Sequence, residues 1–348
     1  MTTHFTQGVR RRRDSDRSMR WNFFSIRAWE VSTRSIIILR SPRFPRGSFS
    51  FMKQAVSPNA RPIEHWPAAS KRTFRRRLLA WYARAARPLP WRTNADPYRV
   101  WVSEIMLQQT QVATVEGYFA RFLAAFPTIA ALAAAEERKV LRMWEGLGYY
   151  RRARQMHLAA QTIVARHGGR FPEDVRAIRA LPGIGRYTAG AIASIVFDAR
   201  QPILEANTTR LLARLLGFEG NPTEAAGQNL LWSAAEDILP RRGSGAINQA
   251  LMELGSQVCA SRNPGCDRCP VAAHCAARCL GLVDQIPRMR PRPRASLVHE
   301  AAVVVRRRGR VLLALRGDGG RWAGLWDFPR FEITATDGES MRAELVAG

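Results

Sequence analysis

The chain has 348 residues, 46% of them hydrophobic, which suffices for two domains with buried cores and excludes a disordered polymer. Its formal net charge is +26, a field that suits a polyanionic partner and disfavours an acidic one. No apolar run approaches the ~20 residues that cross a bilayer, residues 36–39 being far too short, so a soluble protein with no membrane partner is expected.

Residues 1–62 read as a basic extension. Residues 1–60 hold eleven Arg and Lys53 against Asp14, Asp16 and Glu30, a net +9, so the remaining +17 belongs to the body of the chain. Sequence-independent phosphate binding needs charge of this kind, and nucleic acid is the expected partner. The extension shows no sustained helical or strand period, and no packed structure is expected there. It reads as an organellar leader or as upstream translation ahead of a start at Met52; the second is preferred, because residues 36–39, Trp21 and Trp29 form no single amphipathic helix.

From about residue 68 to 280, apolar residues recur at spacings of three and four. They predict helices over 75–86, 100–126, 136–146, 151–167, 172–180, 187–197, 208–216, 223–239 and 245–259, with Pro or Gly at the breaks. Alanine-rich residues 122–135 read as close helix packing.

In the 100–126 helix, Glu104 has Gln108 and Gln111 at i+4 and i+7, so one face carries an acid followed by amides able to bond bases. Its neighbours Trp101, Val102, Ile105 and Met106 are apolar, and burial among them would raise its pKa and make it an acid near neutrality. The segment alone fits a surface glutamate equally well.

The string LPGIGRYTAG, 181–190, lies between two predicted helices and reads as a helix-hairpin-helix. Gly183 and Gly185 are expected to adopt backbone conformations closed to other residues and to bring amides close to a DNA phosphate, with the second helix offering its N-terminus to the same anion. Further on, Glu205 precedes Asn207, Thr208 and Thr209, which are good N-caps, so its carboxylate is placed near a positive helix end and stays ionised. Alone, such an acid is more often structural than catalytic.

Cys259, Cys266, Cys269 and Cys275 have the spacing C-x6-C-x2-C-x5-C, with Pro264, Gly265 and Pro270 shaping the loop. With no secretory signal ahead of them, metal binding in a reducing compartment is expected. Four close thiolates suit Zn²⁺ or a [4Fe–4S] cluster, and the spacing lacks the paired knuckles of common zinc sites, which favours iron–sulfur. Cys279 falls outside the pattern. Residues 288–296, containing RMRPRPR, read as a stiff basic linker. Residues 300–305 and 311–315 then read as a β-hairpin opening a smaller second domain, 297–348, which looks cut short at about fifty residues.

Taken with the hairpin and the cysteines, PWRTNADPYRVWVSEIMLQQTQVATV at 90–115 and GLGYYRRARQMH at 146–157 resemble the MutY adenine DNA glycosylases over about residues 68–292. The resemblance implies a mainly α glycosylase domain over 63–287, a [4Fe–4S] cluster on the four cysteines, and double-stranded DNA with A:8-oxoguanine or A:G mispairs as substrate. A monomer in the cytoplasm, associated with the bacterial nucleoid, is expected. By resemblance Glu104 protonates the flipped adenine, Glu205 stands where the family has its catalytic aspartate, and Tyr187 helps position the centre. Here Glu replaces Asp and Ala206 replaces the following Gly. Leu89, Trp91, Arg92 and Gln249 would line the adenine pocket with Gln108 and Asn207, while Gln109 and Tyr149 would intrude into the duplex. The tail, EAAVVVRRRGRVLLALR with GRWAGLWDFPRFE, resembles the start of a Nudix-like α/β domain without the acidic metal helix of such hydrolases.

Two rival functions remain open to the sequence. An endonuclease III-like bifunctional glycosylase would need a hairpin lysine, but Tyr187 follows Arg186, and the chain's lysines, Lys53, Lys71 and Lys139, lie elsewhere. A non-catalytic mismatch-binding protein would follow if Glu205 marks a dead site.

Overall fold

The computed structural model describes residues 21–25, 37–43, 66–290, 296–317 and 324–333. The chain divides into two compact units, residues 52–290 and the combination of 1–51 with 291–348.

The larger unit is helical: α1 (Ala68–Ala85), α2 (Pro97–Leu107), α3 (Val112–Ala125), α4 (Ile129–Ala134), α5 (Glu137–Met143), α6 (Arg151–His167), α7 (Val175–Ala180), α8 (Arg186–Phe197), α9 (Ala206–Leu216), α10 (Ala225–Ile238), α11 (Ser244–Gln257) and α12 (Ala276–Cys279). Among the described residues none of these helices is long and apolar enough to cross a membrane. Two hydrophobic cores organise the unit. One gathers α2 to α8 around Trp101, Phe119, Phe122 and Trp144; the other gathers α1, α9, α10 and α11 around Phe74, Leu212, Leu231 and Leu254. Helix α11 packs on both α8 and α9. Gly245 permits this, because a Cβ there would stand 2.3 Å from the Ser194 carbonyl oxygen of α8.

The helix expected over 100–126 is two helices. α2 starts from an Asp96 cap, whose carboxylate accepts the Arg99 amide, with Pro97 at the first position, and it stops at Leu107. Gln109 then takes φ +58° and α3 begins at Val112. The cause is tertiary. The Arg152 guanidinium of α6 takes up the carbonyls of Ile105 (2.8 Å), Met106 (3.2 Å) and Gln108, so the end of α2 is satisfied without a further helical turn. The alanine-rich stretch likewise breaks after Phe126, where Thr128 caps α4 through the Ala131 amide.

In the second unit, β5 (Arg310–Leu315) pairs with β1 (Trp21–Ser25), β4 (Arg306–Arg307) and β6 (Trp326–Asp327), while β3 (Ser296–Ala302) pairs with β2 (Ile37–Arg43) and β7 (Arg330–Ile333), all antiparallel. This corrects two expectations. Residues 1–62 were expected to carry no packed structure, yet Trp21–Ser25 and Ile37–Arg43 are strands; their short apolar and aromatic runs gain a ladder only from partners near residues 300 and 312. The hairpin also differs. Arg308 (φ +52°) and Gly309 (φ +71°) form its two-residue turn, which joins β4 to β5, and the segment at 296–302 belongs to the other sheet.

Candidate active site

α2 carries Glu104 into the interior, where its residue is 6% exposed. The Tyr187 hydroxyl, from the first turn of α8, donates to Glu104 Oε2 at 2.6 Å. Burial pushes the Glu104 carboxyl up from 4.5 to about 7; the Tyr187 hydrogen bond and the Arg92 cation pull against this, and the Glu205 charge adds to it. Burial also raises the Tyr187 phenol well above its usual value, with Glu104 and Glu205 adding to the effect, so Tyr187 remains a donor.

Glu205 is itself the N-cap of α9, a position the sequence suggested for the residues after it. Its Oε2 accepts the Asn207 amide and its Oε1 the Thr208 amide, both at 2.8 Å, and the Thr208 hydroxyl accepts the Glu205 amide to close a capping box. Asn207 Nδ2 donates to Oε2 as well, at 3.1 Å. The carboxylate is thus fixed by three donors at the positive end of a helix.

Glu104, Tyr187 and Glu205 line one cavity of about 530 Å³. Leu89, Trp91, Arg92, Gln108, Gln109, Asn207 and Gln249 share its wall. Gln108 stays near the acid although the helix has ended, with its Nε2 3.5 Å from Thr188 Oγ1. Gln111 caps the start of α3 and is not on the Glu104 face. A second cavity, about 390 Å³, is lined by Gln108, Gln109, Tyr149, Arg152 and Gly183 among others. Tyr149 stands there at φ +48° with 62% of its surface exposed, so it is no part of the core. Trp91 is buried, against Phe119, and reaches the first cavity.

The hairpin lies between α7 and α8, at the boundaries its sequence predicts. Gly183 has φ +74°, and a Cβ there would stand 2.6 Å from the Gln155 Cβ. Gly185 differs from expectation. It caps α8 in an ordinary extended conformation, φ −88°, and a Cβ there would meet nothing within 4 Å. What glycine leaves open at this point is the approach to the α8 amides.

Sequence reasoning missed Arg87 and Glu253. Glu253 of α11 is fully buried in the cavity wall between Arg87 and Arg92. No local pattern announces it, since both partners are more than 150 residues away in the chain.

Cys259 follows α11, and the other three cysteines lie in the loop beyond it. All four, half-buried and unpaired, line one small space with Leu211, Arg214 and Val283. Arg214, buried on α9, donates to Cys259 Sγ at 3.3 Å. Burial raises the Cys269 thiol to about 11, against a backbone hydrogen bond, and the three other sulfurs add to the rise, so all four share one electrostatic neighbourhood. Among the described residues no three candidate ligands gather as tightly as a single ion requires. Four thiols around a shared space, with a cation beside one sulfur, form a soft donor set of the kind that holds zinc or an iron–sulfur cluster. Cys279 is exposed and outside this space.

Over residues 102–237 the chain matches the model of the HhH-GPD superfamily of base excision DNA repair proteins. It is 37% identical over 309 residues to an adenine DNA glycosylase of Rattus norvegicus, covering 74% of this chain and 60% of the relative. It is 35% identical over 264 residues to an adenine DNA glycosylase of Buchnera aphidicola subsp. Acyrthosiphon pisum, covering 76% and 75%. Among solved structures it resembles a thermostable thymine-DNA glycosylase, with a TM-score of 0.55, 26% identity and coverage of 60% of this chain and 97% of that one. The chain thus spans about three fifths of the length of the rat relative, and most of the length of the bacterial one.

Proposed function

The chain belongs to the adenine DNA glycosylase family, within the HhH-GPD superfamily of base excision DNA repair proteins, and from that premise we propose that it hydrolyses the N-glycosidic bond of adenine mispaired with 8-oxoguanine or guanine in duplex DNA. The observation that carries the reading is Glu104, a buried acid whose carboxyl sits at about 7 in a cavity it shares with Glu205. Adenine flipped from the stack enters this cavity. Glu104 gives its proton to N7, the C1′–N9 bond breaks, and the electron pair leaves with the neutral base. Glu205, fixed at the start of α9, stabilises the oxocarbenium-like sugar or bonds to it transiently, and water then attacks C1′ and loses its proton to the ionised Glu104. Tyr187 orients the Glu104 carboxyl throughout.

No lysine lines the cavity. Lys71 pairs with Asp237 at 2.5 Å and Lys139 stands over the Phe126 ring, so no described amine is placed to form a Schiff base, which favours monofunctional chemistry. Gly183 and the N-terminus of α8 grip the phosphate backbone, while Gln109 and Tyr149 meet the opposite base. Cys259, Cys266, Cys269 and Cys275 would hold a [4Fe–4S] cluster, which when bound ties their loop to α9 and α11. The strands near residues 296–333 are read as part of a Nudix-like domain that checks the opposite base, on a monomeric cytoplasmic enzyme.

Single-turnover assays on duplexes bearing A opposite 8-oxoguanine, A opposite guanine, and thymine glycol, with and without alkali, test the proposal. Adenine release with alkali-dependent strand breaks is expected. Breaks without alkali would replace it with the bifunctional reading, and binding without cleavage with the mismatch-binding one.

A further inference from the structure

One helical turn beyond Gln249, Glu253 is 0% exposed, and a carboxylate so placed is costly unless paired. Its Oε1 accepts the Arg87 amide at 3.2 Å and Arg87 Nε at 2.7 Å; its Oε2 accepts Arg87 Nη2 at 2.9 Å and Arg92 Nη2 at 2.8 Å. Arg92 is further fixed through Nη1 to the Arg87 carbonyl at 3.3 Å, and its guanidinium stands 5.7 Å from the centre of the Tyr82 ring. The Tyr82 hydroxyl in turn donates to Gln249 Oε1 at 3.2 Å. Both arginines and Glu253 belong to the wall of the cavity that holds Glu104.

We propose that Glu253 is a positioning residue that locks Arg92 into the adenine-facing wall and cancels enough of its charge for the base to be protonated. The inference rests on the adenine glycosylase reading of this cavity. Protonation at N7 puts positive charge on the base, and a nearby unpaired guanidinium opposes that charge. The same cation favours the ionised form of Glu104, which has no proton to give. The charged and titratable groups acting on Glu104 are Tyr187 from α8, Glu205 from the cap of α9, and Arg92 from the short turn ahead of α2; Arg92 is the cation in this set. Those facing Glu253 are Arg87 and Arg92, with Tyr82 of α1 feeling its charge. With Glu253 ionised, the two arginines and the carboxylate sum to one positive charge. Without it they sum to two. Glu253 therefore acts on Glu104 through Arg92.

The test is the pH profile of single-turnover adenine excision for the wild type, Glu253→Gln, Arg92→Gln and the double variant, with thermal melting as a check on folding. The wild-type rate should fall as pH rises above about 7, where Glu104 loses its proton. In Glu253→Gln that falling limb should move to lower pH by roughly half a unit to one unit, the size of effect one charge has in a partly buried site. In Arg92→Gln it should move to higher pH, and the double variant should follow Arg92→Gln. A folded Glu253→Gln that is slower by the same factor at every pH would make Glu253 merely structural and overturn the inference. If Glu253→Gln does not fold, Arg92→Gln decides: an unmoved limb there removes the path to Glu104 and also overturns it. A wild type that excises no adenine overturns the parent reading instead.

Discussion

Replacing Glu104 by Gln removes the proton donor and keeps the shape, and its consequences for rate and for stability have opposite signs. The amide oxygen can still accept the Tyr187 hydroxyl, which now lies 2.6 Å from Oε2, so the local geometry should hold. For chemistry, loss of a positioned general acid costs on the order of 10²–10⁴-fold. In the wild type the carboxyl sits at about 7, so roughly half of the molecules carry the proton at pH 7 and about a tenth at pH 8, and the excision rate should fall accordingly. For stability, an acid whose folded pKa lies above its unfolded value binds more protons in the folded state between the two. Stability is then lost as pH climbs from 4.5 to about 7, and stays lost above. That rise corresponds to at most roughly 3.5 kcal/mol at ~1.4 kcal/mol per pH unit, with the coupling to Tyr187 and Glu205 making this an upper bound. Glu104→Gln should therefore melt higher than the wild type at pH 8 and match it near pH 4. Single-turnover excision and melting curves from pH 4 to 8 measure both. Excision by Glu104→Gln within about tenfold of the wild type, or a melting difference that does not grow with pH, would refute the reasoning.

Glu205→Gln should slow the chemical step at least ~100-fold, about 3 kcal/mol of transition-state stabilisation, and lose ~1 kcal/mol of cap energy, since one oxygen can no longer accept an amide; Glu205→Asp, a shorter acid and a good N-cap, should retain measurable excision, and wild-type rates in Glu205→Gln would confine Glu205 to capping. Tyr187→Lys should place an amine beside Glu104 and allow a borohydride-trapped DNA adduct that the wild type does not form; trapping of the wild type would contradict monofunctional chemistry. The wild type should purify brown with bound iron, and Cys266→Ser should lose both together with DNA affinity; metal analysis finding one zinc and no iron in the wild type would sink the cluster assignment. Gly183→Ala should destabilise the hairpin by on the order of 1–3 kcal/mol, through a strained backbone and the clash with Gln155. Gly185→Ala should fold normally and weaken only DNA binding; equal melting losses in both variants would show that Gly185 too is conformational.

How far the sequence reached depended on how local each cause was. Glu104 was legible because its apolar neighbours at 101, 102, 105 and 106 already imply burial, and the hairpin because its turn and both helix ends lie within ten residues. The break after Leu107 was not. Residues 108–111 are polar on either reading, and what stops the helix is a guanidinium 44 to 47 residues further on. Pairing for the strands at 21–25 and 37–43 lies more than 250 residues away, so an isolated apolar run there has nothing in its own neighbourhood to mark it as a strand. Glu253 sits in a helical stretch where a lone acid reads as a solvated face, and only the folded chain brings Arg87 and Arg92 to it.

The cavity places three glutamates in one wall and gives each a different environment. Glu104 is buried among apolar neighbours, and that burial holds its proton near neutrality against the pull of the Tyr187 hydrogen bond. Glu205 has two backbone amides and a side-chain amide at a helix start, surroundings built for an anion. Two guanidiniums enclose Glu253 and hold its carboxyl below the usual range even though burial works against ionisation. Glycosidic cleavage needs an acid and a fixed negative charge close together, and two carboxyls in like surroundings would compete for one proton. Sorting them by environment resolves that competition without separating them in space. On the proposed function, the amides of Asn207 and Thr208, which fix the position of the Glu205 carboxylate, are what would let a longer acid serve at position 205.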